Sequence, residues 1–157
     1  MAALDFRLVR LTEADLDLVV DIENLVYARP WTKAQFRGEF ARSFTLALGL
    51  KTLPEFSSGL PPVLAAYCFF WQLGPEAHLL NLAVRPEYRR RGLARRLMRA
   101  MLALGREAGI GTFFLEVRST NFEAQTLYRS LGFEVTGRRP AYYEDGEDAQ
   151  LMTRASS

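Results

Sequence analysis

From Ala77 to Val117 the chain reads as an apolar strand, an arginine-rich turn, a long amphipathic helix and a second apolar strand, in unbroken succession. A helix between two strands carries the chain back along the sheet, so these strands must run parallel. Elsewhere, strands follow one another across short connections and call for antiparallel pairing. Such a chain is restricted to an α/β architecture: a mixed, mostly antiparallel central sheet of about six to seven strands with helices on both faces.

Local signals mark the remaining elements. Phe6 to Leu11 alternates as a strand does. Thr12 opens a helix to Tyr27, with Leu16, Val19, Val20 and Ile22 on its apolar side. Pro30-Trp31 interrupts, and Thr32-x-x-Gln35 is a capping box that starts a shorter helix through Arg42. Strands are expected at Phe44 to Leu50, Val63 to Leu73 and Ala77 to Val84, with a long loop from Lys51 to Pro62 rich in Pro, Ser and Gly. The next helix places Leu93, Leu97, Met101 and Leu104 on one stripe and ends at Gly109. Thr112 to Val117 follows as a strand. Thr120-x-x-Glu123 reads as another capping box, opening a helix that stops at Gly132. Two final strands, Phe133 to Gly137 and Asp148 to Thr153, flank a hairpin turn at Asp145-Gly146.

The 157 residues suit a single domain, 1–157, able to bury a real core. Net charge is only +2, so the positive excess is local, concentrated in the arginines between Arg85 and Arg99. That pattern points to a focused anionic ligand and away from general coating of membrane or nucleic acid. The lone cysteine, Cys68, lies in an apolar run and reads as a buried thiol. The lone histidine, His78, reads as packed or hydrogen-bonded, and without a second histidine or a cysteine cluster no metal is expected. Neither a signal pattern nor an apolar run of membrane length occurs, which predicts a cytoplasmic protein.

Four groups of residues carry candidate chemistry. Arg89 to Arg95 combines positive charge with Gly92 and Ala94 at the start of a helix, where backbone N–H groups and the helix dipole favour phosphate. Seen alone, the run also suits a solvated arginine face. Glu116 stands between Leu115 and Val117 on an apolar strand, where a charged carboxylate is costly to bury and so inclined to take a proton. Pairing with Arg118 is the plain alternative. Asn121 begins a helix that also carries Tyr128, a phenol able to donate a proton; such a tyrosine also serves as ordinary core. Tyr142-Tyr143, followed by acids, suits a groove for a cationic amine or simply an exposed hairpin.

Taken in order, Asn-Leu-Ala-Val-x-Pro-x-Tyr-Arg-x-x-Gly-x-Ala from Asn81, Leu-Glu-Val-Arg at 115–118, Asn121, Leu127-Tyr128-x-x-Leu131-Gly132-Phe133 and Tyr142-Tyr143-x-Asp145-Gly146 resemble the GNAT N-acetyltransferases. Pro30-Trp31-Thr32 is similar to the RimI-type branch, which acetylates the N-terminal alanine of a small-subunit ribosomal protein. The Lys51–Pro62 loop is longer than that branch's pattern. The resemblance implies acetyl-CoA as cosubstrate, no metal, and a ribosomal protein N-terminus as partner. It assigns Leu82, Ala83 and Val84 to the pantetheine arm, and Arg89, Arg90, Arg91, Gly92, Leu93, Ala94 and Arg95 to the pyrophosphate. Asn121 would also touch coenzyme A. Glu116 would be the general base and Tyr128 the general acid. Tyr27, Trp31 and Tyr142 would flank the incoming peptide.

Two other readings use the same residues. A small-molecule amine or a lysine is an alternative acceptor on the same fold. A nucleic-acid-binding module using Arg85–Arg99 is a third, which the modest net charge disfavours.

Overall fold

A computed structural model describes residues 5–53 and 61–156. Its strands are β1 (Phe6–Arg10), β2 (Thr45–Thr52), β3 (Leu64–Leu73), β4 (Glu76–Val84), β5 (Thr112–Arg118), β6 (Glu134–Arg139) and β7 (Ala149–Ala155). Its α-helices are α1 (Leu16–Val26), α2 (Lys33–Phe40), α3 (Leu93–Glu107) and α4 (Phe122–Ser130). The strands form one sheet in the order β1-β2-β3-β4-β5-β7-β6. This is the mixed α/β sheet expected: β4 and β5 pair in parallel, while β1 with β2, β5 with β7 and β6 with β7 are antiparallel. The chain gathers into two compact units, Met1–Phe70 with Asn81–Met98, and Trp71–Leu80 with Arg99–Ser157.

In the first unit, residues 64–70 of β3 are buried at every position, as in a strand covered on both faces. Phe36 of α2 is wholly buried, its ring 5.2 Å from that of Phe69 and 6.0 Å from that of Tyr67. The predicted capping box sets the start of α2: Gln35 N donates to Thr32 Oγ1 at 3.1 Å and Thr32 N to Gln35 Oε1 at 2.7 Å. Gly49 on β2 leaves room for its neighbours, since a Cβ there would come within 2.8 Å of the Leu11 and Leu64 side chains. On α1, Leu16, Val19 and Ile22 are buried as expected, but the stripe also buries Glu23.

The second unit is built on β5, which pairs with β7 from Thr112↔Ala155 to Arg118↔Ala149. Phe113, Leu115 and Val117 are buried, while Glu116 and Arg118 alternate onto the other face. The register of β4 with β5 covers Glu76↔Thr112 to His78↔Phe114. His78 is the packed histidine expected, stacked on Phe114 at 4.9 Å with its Nε2 3.2 Å from Glu76 Oε2.

Some expectations need correction. Lys51 and Thr52 belong to β2, not to a loop, and residues 54–60 of that predicted loop lie outside the described residues. Leu104 is only half-buried; the apolar side of α3 is made by Leu93, Leu97, Met98, Met101 and Leu102. Asn121, not Thr120, caps α4, its Oδ1 accepting from Ala124 N at 3.1 Å. Thr120 is drawn elsewhere: its N–H and hydroxyl both donate to Glu147 Oε2, at 3.0 and 2.6 Å. A carboxylate with two such donors outcompetes a local cap. Among the described residues, no helix is long and apolar enough to cross a membrane, and no cluster of histidine, cysteine or carboxylates could hold a metal.

Candidate active site

In the first unit the site begins where β4 ends. Pro86–Tyr88 forms a single 3-10 turn, and the chain then passes two left-handed positions, Arg90 (φ 63°) and Gly92 (φ 73°), before α3 starts at Leu93. A non-glycine residue held at positive φ is uncommon, and such positions concentrate at ligand-binding loops. Among the described residues, the backbone N–H groups of Arg90 through Arg95 donate to no protein acceptor; the first amide of the helix to find one is that of Arg96, bonded to Gly92 O at 3.0 Å. The loop therefore offers a run of unused donors at a helix N-terminus, beside the exposed side chains of Arg89, Arg90 and Arg91. A Cβ at Gly92 would meet no heavy atom within 4 Å, so glycine is there for its backbone conformation and the loop's outer side stays uncovered.

The end of β4 is fixed by a buried carboxylate that sequence reasoning passed over. Glu23, 2% exposed, accepts from Asn81 Nδ2 at 2.8 Å, from Trp31 N at 3.1 Å and from the Tyr67 hydroxyl. Burial, and then the carboxylate beside it, holds the Tyr67 phenol well above the usual range, so it remains a donor. Asn81 Oδ1 accepts the N–H of Leu82 at 2.9 Å, and the Leu82 carbonyl accepts the hydroxyl of Tyr27. The amide and carbonyl of Leu82 are thus engaged within the protein. The signal for Glu23 was present in the sequence: a glutamate next to Ile22 on the apolar stripe of α1 must be paired when buried.

In the second unit, Glu116 has 23% of its side chain exposed, and its Oε1 lies 3.5 Å from Arg139 Nε. It is not enclosed in apolar surroundings as expected, and its ionic partner is Arg139 of β6 rather than Arg118. Arg118 instead donates to Asp145 and Glu147, both at 2.9 Å, and its guanidinium lies 4.1 Å from the centre of the Tyr143 ring. Bonds from the Thr120 hydroxyl and N–H, and then from Arg118, hold Glu147 below the usual carboxylate range. Burial pushes the Tyr143 phenol up to about 12. Tyr142, half-exposed, meets Tyr143 edge-on at 5.1 Å and lies 5.7 Å from the Arg139 guanidinium. Glu116 is therefore bordered by a wall of tyrosines and paired charges. Arg118 and the acids after Tyr143 stood within the motifs read from the sequence, but the pairing of Arg118 with Glu147, and of Arg139 with Glu116, had no local signature. Tyr128 is 6% exposed on α4, its ring edge-on to Phe133 at 6.1 Å. With its carbonyl committed to the cap, Asn121 keeps its side-chain NH2 as a donor.

The acetyltransferase (GNAT) family model matches residues 55–133, a span that includes β4, the loop of unused amides and α3. The chain belongs to the GNAT acetyltransferase family. As an acetyltransferase it is 35% identical over 140 residues to the putative ribosomal protein bS18-alanine N-acetyltransferase of Bacillus subtilis, covering 88% of this chain and 87% of that protein. The crystal structure of the ribosomal-protein-S18-alanine N-acetyltransferase from Escherichia coli superimposes with a TM-score of 0.85 and 32% identity, covering 97% of this chain and 94% of that one. An uncharacterised protein of Mycobacterium leprae is 38% identical over 151 residues, but the acetyltransferase spans only 39% of its length.

Proposed function

We propose that this acetyltransferase moves the acetyl group of acetyl-CoA to the N-terminal α-amine of a protein, namely the N-terminal alanine of a small-subunit ribosomal protein of the bS18 kind. The observation that carries the cosubstrate is the run of unused amides from Arg90 to Arg95. Oriented N–H groups and arginines at a helix start suit a pyrophosphate and supply no catalysis by themselves. The acceptor rests on the names of the relatives, at 35% and 32% identity over nearly the whole chain.

In this reading Arg89, Arg90, Arg91, Gly92, Leu93, Ala94 and Arg95 hold the pyrophosphate and Asn121 donates to coenzyme A. The end of β4 lines the pantetheine arm. Leu82, tied to Asn81 and Tyr27, fixes the strand end, while Ala83 and Val84 present their backbone. Tyr27, Trp31 and Tyr142 flank the incoming peptide.

The amine must be neutral to attack. An α-amino group with a pKa of roughly 7.7–8.0 loses its proton at pH 7 for about 1 kcal/mol, whereas a lysine at roughly 10.4 requires about 4.6 kcal/mol. A single partly exposed carboxylate, reaching the amine directly or through water, is enough for the first and poorly suited to the second. Glu116 takes that role, oriented by Arg139. Tyr128 returns a proton to the departing thiolate. Holding both reactants together makes the attack effectively unimolecular.

The test is incubation of the purified chain with acetyl-CoA and a panel of peptides, small amines and lysine-containing peptides with blocked N-termini. Acetylation of alanine-started peptides at the α-amine is expected. Exclusive modification of lysine or of a small amine overturns the acceptor.

A further inference from the structure

A pocket of about 480 Å³ in the second unit is lined by Arg99 and Arg106 of α3, Ser130 and Gly132 at the end of α4, and Arg154 of β7. We infer that it binds a phosphate group, held by these three arginines.

Three features of that unit point to an anion. The Nη1 of Arg154 is buried and has no hydrogen-bond partner. A buried guanidinium donor without an acceptor is costly, and native proteins rarely leave one so. Second, no acidic side chain lines the pocket, and among the described residues none of Arg99, Arg106 and Arg154 takes part in an ion pair. Elsewhere in this unit, Arg118, Arg138 and Arg139 each have a carboxylate. Converging cations with no counter-charge call for an anion from outside.

Third, the space for the guanidinium is built in. Gly132 stands at φ 89°, and a Cβ there would come within 2.9 Å of Arg154 Nε. Any larger residue would push the arginine aside. The exposed Arg99 and Arg106 stand at the opening, where they can follow an entering anion. Arginine forks match phosphate oxygens two at a time, and three such cations favour a multiply charged oxyanion over a carboxylate.

The pocket lies away from Glu116. Arg154 is opposite Phe113 at the beginning of β5, and Leu151 is opposite Glu116 further along, about 10 Å away at the usual rise per strand residue.

The test uses the whole chain, labelled with 15N and titrated with inorganic pyrophosphate, read at the Arg154 Nε–Hε and the Gly132 amide. The Gly92 and Leu93 amides report separately on the loop before α3. Saturable shifts at Arg154 and Gly132 are expected. The exposed double variant Arg99→Gln/Arg106→Gln should weaken them at least tenfold, leave the Gly92 and Leu93 responses unchanged and preserve the fold. Arg154→Gln should abolish them. A parallel titration with ADP distinguishes the sources: tighter binding than pyrophosphate marks a nucleotide, and equal or weaker binding marks phosphate alone. No saturable shift at Gly132 with either probe, or a shift indifferent to the double variant, overturns the proposal.

Discussion

Asn81 Nδ2 donates to Glu23 Oε2 at 2.8 Å, and through this bond a carboxylate on α1 sets the end of β4. The chain of bonds continues from Asn81 Oδ1 to the Leu82 N–H, and from the same glutamate to the backbone of Trp31. Glu23→Gln keeps the shape but loses the charge that three donors share. A loss of about 2–4 kcal/mol of stability is expected, from the strength of buried charged hydrogen bonds. Urea denaturation checks it. Asn81→Ala should additionally raise KM for acetyl-CoA several-fold, because it frees the Leu82 amide.

Gly92 should tolerate no side chain without penalty, although a Cβ there touches nothing. Its φ of 73° is the reason. Gly92→Val should raise KM for acetyl-CoA at least tenfold while costing only about 1–2 kcal/mol of fold stability. Steady-state kinetics beside thermal melting separates the two effects. A large fall in melting temperature with KM unchanged would contradict the loop's role.

How much of this was legible beforehand depends on how local each cause is. The capping box at Thr32, the stop at Gly109 and the crossover between β4 and β5 are set by neighbouring residues, so they could be read from the sequence. The partners of Glu116 and Thr120 could not. Arg139 reaches Glu116 because β6 and β7 pair beyond β5, and Glu147 takes Thr120 because the hairpin folds back onto the start of α4. Glu23 is intermediate: its place on the buried stripe was visible, its three donors were not.

Glu116→Gln should lower kcat by about 10²–10⁴-fold, the usual contribution of a positioned acid or base, with little change in KM for acetyl-CoA. Tyr128→Phe should do the same to a smaller extent. Normal turnover in both variants would rule out Glu116 as the base and Tyr128 as the acid.

Cys68, wholly enclosed in β3, has its thiol pushed up to about 12 by burial. The folded protein therefore keeps a proton that the unfolded chain releases above about pH 8.5. Stability unaffected by this group at neutral pH should fall as pH rises from there toward 12, by about 1.4 kcal/mol per pH unit. Cys68→Ala should flatten that part of the curve, which denaturation at several alkaline pH values would reveal.

The most direct measurement is mass spectrometry of a peptide that starts with alanine and carries one internal lysine, incubated with the purified chain and acetyl-CoA. A single added acetyl group on the α-amine, absent with Glu116→Gln, is the predicted result. Modification of the lysine alone, or of neither nitrogen, would contradict the account.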